Sequence, residues 1–186
     1  MAISAPSHRF TVNDYYKMAQ AGILGEDDRV ELIDGAIVDM APIGPRHAAG
    51  VDRLNTLFSE RLRGRAILRV QNPVHLHEYS EPEPDLMLLR PRADFYASGH
   101  PEPADVFLAI EVAESSLEYD RDVKALLYAQ NGIPEFWLED LGGYRVIVHR
   151  EPGPEGYADV RITSGDDVLS PQAFPEVVLT VREILG

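Results

Sequence analysis

A chain of 186 residues, 45% hydrophobic and with 31 acids against 17 lysines and arginines, has the length for one domain with a substantial core and little room for a second. Its net charge of −14 works against generic polyanion binding, which lysine and arginine carry. No apolar run suits a membrane-spanning helix, and the absence of cysteine removes disulfides and thiolate metal sites from consideration. The opening MAISAPSHRFTVND has neither a basic start nor an apolar stretch, so a cytoplasmic address is the expectation.

Thr11 reads as the N-cap of an amphipathic helix through Tyr15, Tyr16, Met18 and Ala19, with Gly22 near its end. VELIDGAIVDM reads as a hairpin whose arms, 30–33 and 36–40, flank an Asp34-Gly35 turn suited to positive φ. Over 45–63 the apolar residues Val51, Leu54, Leu57, Phe58 and Leu62 recur at helical spacing, and Gly64 is a stop signal. AILRVQNPVHLHEY suggests a strand pair broken at Pro73. Buried strands follow from Asp85 through Leu89 and over 106–112, separated by a Pro- and Gly-rich surface loop. A helix over 120–130, a hairpin turning at Gly142 and Gly143, an alternating edge strand from Tyr157 to Thr163 and a tail with a last apolar run at 177–181 complete the chain. Strands interleaved with helices, with no linker or repeat, imply an α/β layer around a mixed sheet over 1–186 as a single domain.

Four positions stand out chemically. Asp85 sits just before an apolar strand, where an aspartate commonly only caps its own backbone. Glu111 lies inside LAIEVA, where an unpaired carboxylate would be costly to bury, so a salt bridge, a metal ion or Lys124 should compensate it. Lysine occurs only at 17 and 124, against fifteen arginines, and Asp120, Lys124 and Tyr128 follow at i, i+4 spacing on one helix face. Glu31 is fixed to the first hairpin. His47 opens the long helix as a possible phosphate or water contact. His75 and His77 share one face of the suggested strand, but no third zinc ligand lies nearby in sequence. From 46 to 69 six arginines face only Asp52 and Glu60, leaving one face open to being basic, although each arginine alone is more readily a solvated surface residue. No phosphate-binding glycine loop or GxSxG elbow is present.

At VELIDGAIVDMAP, His47, Pro84-Asp85, IEVAESS and DRDVKALLYAQNGIPEFWLED the chain resembles the PD-(D/E)XK nuclease superfamily and, within it, the Uma-two family of putative restriction endonucleases, over about 10–185. The resemblance implies a restriction-endonuclease-like mixed sheet flanked by helices, with additional hairpins. It also implies Mg²⁺, for which Mn²⁺ would substitute, on Asp85 and Glu111, with Glu31 as an additional acid and Lys124 as the catalytic lysine. His47, Asp120 and Tyr128 would be auxiliary, and Arg46, Arg53 and Arg61 would be candidates for the DNA backbone. The superfamily's lysine usually stands two positions after the strand acid, where this chain has Ala113, so Lys124 would have to reach over from the next helix. The expected function is a Mg²⁺-dependent DNA endonuclease, expected as a homodimer, with an exposed hairpin around Trp137 as a suggestive contact. The alternatives are a catalytically inactive binding or assembly module, and a metal-dependent hydrolase of a small phosphodiester.

Overall fold

The computed structural model describes residues 7–25 and 27–186. Helix α1 (Val12–Gln20) begins where expected, with Thr11 and Asp14 forming a reciprocal capping box. Strands β1 (Val30–Ile33) and β2 (Ala36–Asp39) pair antiparallel. Asp34 and Gly35 between them have φ of 49° and 81°, the paired positive values a tight two-residue turn needs. Helix α2 (Pro45–Leu62) buries Gly50, Val51, Leu54, Phe58 and Leu62 along one stripe and ends on Arg63 in the left-handed conformation.

The main sheet has six strands in the order β3 (Ile67–Val70), β4 (Leu86–Leu89), β5 (Val106–Ala113), β6 (Glu135–Asp140), β7 (Arg145–Gly153), β8 (Gly156–Ser164). Only β5 and β6 run parallel, with Glu111 opposite Leu138 and Val112 opposite Glu139. Parallel neighbours need a crossover, and the helical stretch between them supplies it: α3 (Leu117–Tyr119), a π-helical turn (Asp120–Lys124) and α4 (Ala125–Gln130). One apolar cluster lies between the sheet and α2, around Phe58, Ile110 and Trp137, and a second lies on the opposite face, around Tyr128, Phe136 and Ile147. β4 and β5 are therefore covered on both faces, which explains their unbroken apolar runs.

Two expectations change. Past β3 no second ladder strand forms. The segment around Pro73, Pro82 and Pro84 lacks the N–H groups a ladder uses, and it makes only isolated bridges, His77 to Ser80 and Leu32 to Glu81. His75 and His77 consequently turn to different carboxylates, Glu81 at 3.1 Å and Asp34 at 3.8 Å. The alternating residues 157–163 lie on β8, the edge strand of the main sheet, and in the tail β9 (Val168–Leu169) and β10 (Leu179–Thr180) pair with each other. Helix α5 (Val181–Leu185) follows, capped by Thr180 and Glu183. Trp137, in the hairpin expected to be exposed at a dimer contact, is fully buried 6.0 Å from the Phe58 ring.

Candidate active site

Where β4, β5, the β1–β2 hairpin and the π-helical turn meet, a cleft of about 250 Å³ is lined by Glu31, His47, Asp85, Glu111, Asp120 and Lys124 among others. Lys124 Nζ lies 3.1 Å from Glu31 Oε2 and 3.1 Å from Glu111 Oε1. The Tyr128 hydroxyl donates to Glu111 Oε1 at 2.7 Å. Asp120, Lys124 and Tyr128 are all buried on one side of the segment, as their spacing suggested. Its first part, however, is π-helical: the Ala125 N–H bonds back to the Asp120 carbonyl. Such wide turns recur at functional sites, and nothing in the residue types announced this one.

Asp85 is tied from three directions. Its Oδ2 accepts from the Val112 N–H at 2.8 Å and its Oδ1 from Gln71 at 3.2 Å. His47 Nε2 lies 3.0 Å from the same Oδ1, an ion-pair contact. Burial alone would raise Asp85, but His47, then Val112 and Gln71, outweigh it and hold the carboxyl below its usual value. The Asp85 carboxylate in turn raises His47 above the ordinary imidazole value.

The other acids respond in the opposite sense. Burial pushes Glu111 well above the carboxylate range, more than Lys124 pulls it down, and Asp85, Asp120 and Glu31 add repulsion. Asp120 is raised, again chiefly by burial. For Lys124 burial works against charge, but Glu111, Glu31 and Asp120 more than restore it and hold the amine above its usual value. Four acids thus face the Lys124 ammonium and the His47 ring, a set short of positive charge.

That deficit and the all-oxygen donor set suit a hard divalent cation. Lys124 itself occupies the space between Glu31 and Glu111, and among the described residues no three His, Asp or Glu side chains converge in metal-ligand geometry. The residues fit such an ion in charge and donor chemistry.

Several contributors carried no individual signal in the sequence. Gln71 reaches Asp85 because β3 pairs with β4 in a register setting Val70 opposite Leu86. Tyr119 lines the cleft with its hydroxyl buried and unpartnered among the described residues. Burial, then Glu31, pushes that phenol up to about 12. Behind Asp85, Glu139 on β6 is buried with neither carboxylate oxygen hydrogen-bonded within the described residues, and burial pushes it up to about 8.

The three candidate backbone-tracking arginines do not enter the cleft lining. Arg46 donates to the Leu141 carbonyl and lies 3.6 Å from Glu114. Arg53 donates to the carbonyls of Ile184 and Leu185, and Arg61 to Val178 and Glu183. The last two therefore fasten α2 to the chain end.

No curated protein matches the chain. The crystal structure of a putative nuclease of the DUF820 group from Anabaena variabilis shares the fold, with a TM-score of 0.72 at 16% identity, covering 95% of this chain and 97% of that one. The family model for Uma2, described as putative restriction endonuclease, matches residues 12–182, and the chain belongs to that family.

Proposed function

We propose that the protein hydrolyses DNA phosphodiester bonds with a divalent cation, Mg²⁺ or in its place Mn²⁺, held by Asp85 and Glu111. The observation that carries this reading is the placement of Lys124: an amine from the crossover helix lies 3.1 Å from both Glu31 and Glu111 in a buried cleft. A buried ion cluster of this kind often stabilises no more than well-packed apolar residues in place of all its members would, and the ammonium is well placed beside a phosphoryl group. Bound between the acids, the cation would neutralise them and polarise the phosphoryl oxygens.

The chain's own residues supply the rest. Glu31 orients the attacking water, and Lys124 donates hydrogen bonds to that water and to the phosphoryl oxygens on which negative charge grows. Water oxygen forms the new P–O bond as the P–O bond to the departing sugar oxygen breaks, and the water proton ends on that oxygen. Tyr128 holds Glu111 from behind at 2.7 Å, and the Val112 N–H and His47 fix Asp85. These outer contacts orient the ligand carboxylates.

Calorimetry with Mn²⁺, run beside cleavage of plasmid and single-stranded DNA, tests the reading on the parent and on Glu111→Gln, which keeps the shape of the side chain. The parent is expected to take up Mn²⁺ and cleave. The variant is expected to lose roughly 100-fold in both. A parent that binds no Mn²⁺ would overturn the proposal and leave the binding-module alternative.

A further inference from the structure

We infer that this cleft accepts an unpaired DNA strand, at an end or in a single-stranded stretch, with the nucleotide at the scissile phosphate packed on the wall formed by Val38, Met40, Pro42 and Ile43. The inference rests on the hydrolytic reading above and names its substrate class.

The first ground is depth. Glu31, Asp85, Glu111, Asp120 and Lys124 are each 3–6% exposed, and the cleft above them holds about 250 Å³, below the ~300–1,000 Å³ of ordinary small-molecule sites. A phosphate reaching these groups must descend into the cleft with its sugar. A free strand can rotate one nucleotide inward. A duplex would bring its neighbouring phosphates along, one charge per ~1.7 Å of axis.

Those neighbours would meet acids. Asp39 and Glu114 line the mouth, and a Cβ on Gly44 would lie 2.8 Å from Glu114 Oε2, so this carboxylate already narrows the entrance against the loop backbone. Arg29, the arginine of the lining, donates to the Ala41 carbonyl at 3.1 Å. Arg53 and Arg61 on α2 are spent on the chain end. Among the described residues Arg29 is the one arginine that the cleft lining offers for the phosphate contacts that position a protein along a duplex, and the net charge of −14 adds repulsion.

The second ground is the apolar part of the lining. Val38, Met40, Pro42 and Ile43 line the cleft beside the acids, with Val38 paired in register with Glu31, and Ile43 leaves 43% of its surface open. A base has an apolar face that such a wall can cover, and single-strand binding draws much of its free energy from contacts of this kind. In a duplex the base faces are already stacked.

The test uses the Mn²⁺-loaded protein and a fluorescein-labelled oligothymidylate with hydrolysis-resistant phosphorothioate linkages, alone or annealed to its complement, followed by fluorescence anisotropy. The single strand is expected to bind at least ~10-fold tighter, about 1.4 kcal/mol. Ile43→Ser, a change at an exposed side chain, is expected to weaken that binding roughly tenfold with an unchanged Mn²⁺ calorimetric signal. Duplex binding as tight as single-strand binding, uptake of Mn²⁺ without binding of either nucleic acid, or an Ile43→Ser variant that binds like the parent would each overturn the inference while leaving the metal reading standing. Absence of Mn²⁺ uptake in the parent would instead remove both.

Discussion

At the scale of single residues, folding has placed ionisable groups in environments that move them apart. His47 and Asp85 stabilise each other as an ion pair. His47 is raised, so its contribution is full below the ordinary imidazole value of 6.5 and fades as pH rises through its folded value. Asp85 is lowered, so its contribution is full above 3.8 and fades as pH falls. The pair therefore acts at full strength between those two ordinary values. Glu139 behaves in the reverse manner. Its ordinary value is 4.5 and burial holds it at about 8, so folding favours the neutral acid, and the stability it lends at low pH is lost as pH rises from 4.5 through 8. Glu139→Gln removes that ionisation. Urea denaturation from pH 5 to 9 should show the variant gaining on the parent as pH rises, by on the order of 1–3 kcal/mol at the alkaline end. A stability difference that stays constant with pH would contradict this account of Glu139.

Secondary-structure elements meet at distances that fix which residues each can carry. Gly50 lies on the buried stripe of α2, where a Cβ would sit 3.0 Å from Val112 Cγ1 and 3.3 Å from Glu139 Oε1. Alanine would favour the helix by up to ~1 kcal/mol, but both neighbours are buried and held. Gly50→Ala is expected to destabilise by about 1–3 kcal/mol, the usual cost of overpacking, and a rise in melting temperature would refute the close approach.

Much at this scale was legible beforehand. Period and punctuation marked α2 and the Asp34-Gly35 turn, and the apolar run around Glu111 marked a strand whose carboxylate needed a partner. Lys124 was traceable by its rarity and its spacing from Asp120. Long-range pairing was not legible. The π-helical turn has no mark in its residue types, and the contact of Gln71 with Asp85 depends on register. The depth of Trp137 depends on α2 covering β6, and the short α5 was hidden inside a run whose apolar residues suit strand and helix equally.

Over the whole molecule, charge is divided unevenly in function as well as in number. Most arginines that might have formed a basic face are bound to carbonyls or carboxylates of this chain, and the cleft concentrates acids around one amine. That amine has a practical meaning of another kind. The chain carries only two lysines. Lys17 is exposed on α1, whereas Lys124 is 4% exposed and held protonated by its carboxylate neighbours. An acylating reagent needs a free, accessible amine, so in the closed molecule it should mark Lys17 and spare Lys124. Peptide mass spectrometry of briefly acylated protein then becomes a clock for the cleft: the slow arrival of label at Lys124 counts how often the molecule opens its own centre to solvent.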